Sequence, residues 1–108
     1  MNNLLAYIPA NLPHELFQAL LTTPDLRIER ILSRGHASPE GVWLDQEEHE
    51  WVLLLQGAAR LCFENSAATV EMKAGSWIYI PAHQRHRVDW TDPSQVTIWL
   101  AVHYRDEA

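Results

Sequence analysis

The chain has 108 residues, 47% of them hydrophobic, with five Trp and a formal net charge of −6. This is the composition of one globular domain with an ordinary core, not of a disordered chain. The acidic balance argues against nucleic acid or an anionic membrane as partner, because phosphates call for a basic surface, and no run approaches the roughly 18 apolar residues of a membrane helix.

The single Cys62 permits no internal disulfide and suits a reducing compartment. The N-terminus, MNNLLAYIPANLPHELF, has neither the basic start nor the long apolar run of a signal peptide. Together these features predict a cytoplasmic protein.

Pro13 fits a first helical turn, and Leu16, Phe17, Leu20 and Leu21 fall on one face at helical spacing. A short helix is therefore expected over 13–21, ended by Thr22-Thr23-Pro24-Asp25. From Leu26 the period becomes two. Leu26, Ile28, Arg30 and Leu32 alternate with Arg27, Glu29, Ile31 and Ser33, which predicts a strand with Arg and Glu on its wetter positions. Arg34 to Gly41 carries two Gly and one Pro and reads as a loop. Val42–Leu44 reads as a short strand.

In Asp45 to Gly57, DQEEHEWVLLLQG, an acidic run passes directly into five large apolar residues closed by Gln-Gly. That pattern predicts a strand buried on both faces. Alternation puts Glu50, Val52 and Leu54 on one face and Trp51, Leu53 and Leu55 on the other. A carboxylate on a buried aliphatic face costs several kcal/mol unless it is paired, protonated or bound to a metal.

Beyond Gly57, Ala58–Glu64 is expected to return as the second strand of a hairpin, with Asn65-Ser66 as a turn. Further strands are expected at Thr69–Met72, Trp77–Ile80, His86–Trp90 and Val96–Tyr104. Eight short strands, spaced about ten residues apart, predict an antiparallel sandwich or barrel. The expected division is an N-terminal extension over 1–25 and a barrel over 26–108. Apolar residues on both faces of several strands exceed what one barrel interior can bury, which predicts a homodimer.

Glu50-x6-Gly57 and Gly75-x5-Pro81, followed by His86, resemble the two motifs of the cupins, small double-sheet jelly rolls. Gly41 can stand for the first Gly of the first motif, His83 sits where the second motif has a Gly, and Trp90 where it has an Asn. The resemblance spans residues 26 to 104. It implies an all-β double-stranded β-helix, or jelly-roll barrel, here with the short N-terminal helix added.

The same resemblance implies a first-row divalent ion (Zn, Ni, Mn or Fe) held at the barrel mouth by imidazoles and a carboxylate. Carried over by position, the ligand candidates are Glu50 and His86. The places of the paired His in the first motif fall on Leu44 and Gln46, or on Trp43 and Asp45 if the gap is one longer. Gln46 or Asp45 thus completes the set, with His36, His83 or His103 as sources of another nitrogen. In the rival reading, Glu50 pairs with Arg85 or Arg87 in a metal-free barrel.

Function is expected to be the binding of such an ion together with a small-molecule ligand that is anionic or carries a carbonyl. The alternatives are a metal-dependent enzyme, of dioxygenase or isomerase type, and a metal-free metabolite-binding barrel. Cys62 has no basic neighbour in sequence to activate it, and there is neither a phosphate-cradling glycine loop nor a nucleophile elbow.

Overall fold

Eight strands carry the computed structural model, which describes residues 2–106: β1 (Leu16–Thr22), β2 (Leu26–Ser33), β3 (His49–Gln56), β4 (Ala58–Phe63), β5 (Thr69–Lys73), β6 (Trp77–Ile80), β7 (His86–Thr91) and β8 (Thr97–Tyr104). They form a five-stranded sheet in the order β1-β2-β8-β3-β6 and a three-stranded sheet in the order β5-β4-β7. The pairings are antiparallel. This is the expected jelly-roll architecture.

No helix forms among the described residues. The segment expected to be helical over 13–21 instead supplies β1, paired to β2 from Leu16↔Leu32 to Thr22↔Arg27 with a bulge between Ala19 and Leu21. A bulge inserts one residue and reverses the parity of all that follow. It moves Leu21 onto the face that carries Leu16, so a bulged strand here imitates helical spacing. Residues 16–22 of the expected N-terminal extension are thus part of the sheet. Met1 and residues 107–108, the outer ends of the expected division, lie outside the described residues.

Alternation decides what faces inward. In β3, Glu50, Val52 and Leu54 share the buried face, as alternation predicts, whereas Trp51, Leu53 and Leu55, expected to be buried as well, are half-buried. Their partners on β8 are His103, Ala101 and Trp99, all buried. With Ala59, Leu61 and Phe63 from β4, Met72 from β5 and Ile80 from β6, these residues make a core shared by both sheets.

On β2 the expected faces are reversed. Arg27, Glu29 and Ile31 line the interior cavity, and Arg30 and Leu32 face outward yet are buried. The N-terminal segment supplies part of that cover. The Arg30 guanidinium donates to the carbonyls of Leu4, Ala6 and Tyr7 at 3.1, 2.6 and 3.3 Å and to Gln18 Oε1 at 2.7 Å.

β3 and β4 do not form the expected hairpin. β3 pairs with β6 and β8, whereas β4 pairs with β5 and β7, so the chain changes sheets at Gly57. One residue is too short for even a two-residue hairpin loop. The expected strand at Val42–Leu44 reduces to one bridge, Leu44 with His86, by which the long loop lies along the edge of β7.

Gly57 has φ +97°, and a Cβ there would lie 2.7 Å from the Cα of Thr97. Both facts exclude a side chain. Gly57→Ala should destabilise the fold by about 2–4 kcal/mol, measured by urea unfolding; a change within the error of the midpoint would contradict this account of the crossover.

Candidate functional site

Between the sheets lies a cavity of about 490 Å³. Its apolar lining includes Ile31, Val52, Leu61, Ile80, Val88 and Trp99, and Glu50 and His86 reach it from opposite sheets. Glu50 is fixed on β3 between Ile80 of β6 and His103 of β8. His86 opens β7, where its backbone is bonded to Leu44 in both directions. The two side chains that the sequence singles out therefore meet, and both are buried.

The His86 ring is oriented by its own turn. Nδ1–H donates to the Gln84 carbonyl at 2.9 Å, which leaves Nε2 facing Glu50 Oε1 at 3.6 Å. That separation is an ion-pair contact rather than a hydrogen bond. Burial is the largest influence on the ring and opposes its charge, but the Glu50 carboxylate and the Gln84 carbonyl together outweigh it. The His86 pKa is raised above its ordinary value of 6.5.

A second imidazole stands on the other side of Glu50. His103 Nε2 lies 4.0 Å from Glu50 Oε2 and 3.0 Å from Glu29 Oε1. Its Nδ1 is buried without a partner. The proton therefore belongs on Nε2, donated to Glu29, since an orphaned lone pair is less costly than an orphaned N–H. Glu29 also receives Arg27 Nε at 3.3 Å, and Arg27 Nη1 reaches Glu48 at 2.9 Å. A chain of polar contacts through His103, Glu29, Arg27 and Glu48 thus runs outward from Glu50.

Of the remaining expected ligands, Gln46 lines the cavity, and its carbonyl accepts the His83 N–H. Asp45 pairs with His83 Nδ1 at 2.9 Å, and both side chains are exposed. Loop parity explains this, because adjacent residues in an extended segment point oppositely. His83 has φ +64°, a left-handed conformation that matches the glycine of the cupin motif at its position. The His36 ring is bonded to the Arg34 N–H of its own loop and to the Pro13 carbonyl of the N-terminal segment. The rival partners of Glu50 are engaged elsewhere, Arg85 with Glu64 and Arg87 with Asp89.

Catalytic metal centres take three protein ligands. Among the described residues no three His, Cys, Asp or Glu side chains are placed to hold an ion. Asp45 is turned away, and His103 Nε2 is occupied by Glu29. As arranged, the side chains do not fit the expected divalent ion.

Sequence reasoning offers His103 only as one source of another nitrogen, and it leaves Glu29 and Arg27 on the wet face of their strand. The available signal is parity: His103 is two and four residues from Ala101 and Trp99 on the same strand.

The family described as "Cupin domain" matches residues 32–103. The crystal structure of a "putative mannose-6-phosphate isomerase" from Ralstonia eutropha JMP134 is 46% identical, covers 98% of both chains and superposes with a TM-score of 0.94. A cupin superfamily protein from Desulfitobacterium hafniense DCB-2 is 19% identical over 92% of this chain and 84% of its own, TM-score 0.74. The polyketide cyclase RemF from Streptomyces resistomycificus is 21% identical over 87% and 67%, TM-score 0.71. At those identities the last two show the fold alone. Comparison with curated proteins gives no match.

Because the folded His86 pKa lies above 6.5, the Glu50–His86 pair contributes stability that is fully present below that pH and is lost as pH rises through the folded value. Glu50→Gln removes the raising charge and leaves burial opposed by the Gln84 carbonyl alone, so the His86 midpoint followed by NMR should fall. A midpoint unmoved by the substitution would break the assignment.

Proposed function

The chain belongs to the cupin family, and on that footing we propose that its cavity binds a small carbonyl compound on which Glu50 and His86 move a proton. One arrangement carries the reading: a buried carboxylate and a buried imidazole, held by elements of opposite sheets, face each other at 3.6 Å beside a cavity large enough for a small metabolite.

In this reading Glu50 takes the proton from the carbon beside the carbonyl. His86, whose protonated form the facing Glu50 carboxylate favours, gives its Nε2 proton to the carbonyl oxygen. The enediol so formed collapses when Glu50 returns its proton to the former carbonyl carbon and His86 Nε2 takes the proton of the neighbouring hydroxyl, which becomes the new carbonyl. The apolar lining keeps bulk water from the carbanionic carbon. The Ralstonia relative bears the name of an isomerase, and aldose–ketose interconversion is a proton shift of this kind.

Incubation with aldoses and ketoses in D2O should place deuterium on the carbon beside the carbonyl, and Glu50→Gln or His86→Gln should slow this by roughly 10²–10⁴-fold. Undiminished exchange in Glu50→Gln ends the reading. A divalent ion is a second reading, favoured by the Nε2–Oε1 distance of 3.6 Å, a span that two ligands of one ion can bridge. It requires His103 to turn from Glu29. The same preparations, reloaded with Zn, Ni, Mn or Fe, test it by elemental analysis: metal below about a tenth of an equivalent removes the ion.

The proposal includes a homodimer. On the outer face of the five-stranded sheet, Trp77 is 62% exposed beside the half-buried Trp51, and Tyr79 is 44% exposed. Trp77→Lys should lower a sedimentation mass of two chains to one; a one-chain mass for the unaltered protein removes the dimer.

A further inference from the structure

We infer that the cavity selects uncharged ligands and rejects phosphorylated ones. The inference rests on the proposed carbonyl-binding site and concerns the charge of what enters it.

Three carboxylates line the cavity (Glu15, Glu29 and Glu50) against Arg27, His86 and His103. Each cationic or cation-forming group already faces a carboxylate. Arg27 contacts Glu29 at 3.3 Å and Glu48 at 2.9 Å, His103 contacts Glu29 at 3.0 Å, and His86 faces Glu50 at 3.6 Å. Among the described residues the cavity thus offers no unpaired cation. Glu15 faces only a hydroxyl, Ser33 Oγ of the adjoining strand donating at 2.6 Å, so the balance left over is negative.

A phosphate ester brings up to two negative charges. Its natural receptor is a guanidinium fork, and the Arg27 fork is held by two carboxylates. To bind there it must displace Glu29 or Glu48, while remaining in a cavity small enough to keep it near Glu15 and Glu50, where salt screens little. An uncharged polyol meets no such opposition. Its hydroxyls can donate to the carboxylates, and its C–H faces can lie on Trp99 and Ile31, which also line the cavity. Glu29 is then a specificity residue, holding both Arg27 and His103 out of reach of an anion.

Calorimetric titration with D-mannose, mannose 6-phosphate and inorganic phosphate tests this, because the first two differ only in the ester. D-mannose should bind at least about tenfold more tightly than its phosphate. Inorganic phosphate should bind the unaltered protein too weakly to measure. Glu29→Gln and Glu48→Gln each loosen Arg27, and each should raise phosphate affinity by about tenfold. Glu48→Gln does so without touching the cavity lining, which guards against misfolding in the first variant.

Equal or tighter binding of the phosphorylated sugar, or phosphate affinity unmoved in both variants, overturns the inference. If neither sugar binds but phosphate affinity still rises in the variants, the charge rule holds and the carbonyl-compound reading is the one that fails.

Discussion

A carboxylate in the wrong solvent governs this molecule. Glu50 sits on the core-facing side of β3, in line with Val52 and Leu54, where an isolated charge would be untenable. It is tolerable because two imidazoles flank it, one from β8 in its own sheet and one from β7 across the interior. The second of these can arrive only if the sheets close on one another. The polar centre and the jelly-roll closure are therefore one constraint: the site depends on the fold, and the fold places the partners that the site needs.

Gly57 makes that closure possible. The chain leaves β3 and enters β4 in the other sheet after a single residue, pressed against Thr97. The Thr97 hydroxyl bonds the Ala58 backbone in return, at 3.3 Å. The corner thus lies seven residues from Glu50 along the chain. The spacing from carboxylate to glycine in the cupin motif acquires a mechanical meaning: it is the length of strand that places the charge at the mouth when the chain turns at the far end.

The sequence was legible where a local rule acts alone. Period-two alternation and a terminal glycine were enough for β3, and motif spacing was enough to pair Glu50 with His86. It was misleading where a distant contact overrides the local rule. The bulge in β1 disguised a strand as a helix. On β2 the polarity of Arg27 and Glu29 suggested water, but both line the cavity, and the outer side is covered. Placing Gln46 rather than Asp45 at the cavity required loop parity, which shows only in the bonds to His83. His103 required the β3–β8 register, a pairing across some fifty residues of chain.

Arg30 reads the N-terminal strap almost entirely through main-chain oxygens, those of Leu4, Ala6 and Tyr7. Recognition of that sort is blind to side-chain identity. Positions 4, 6 and 7 are free to drift as far as this anchor is concerned, whereas a shortened or re-registered strap would leave a buried guanidinium with Gln18 but without its three carbonyls. The strap's vocabulary is open, and its metre is fixed.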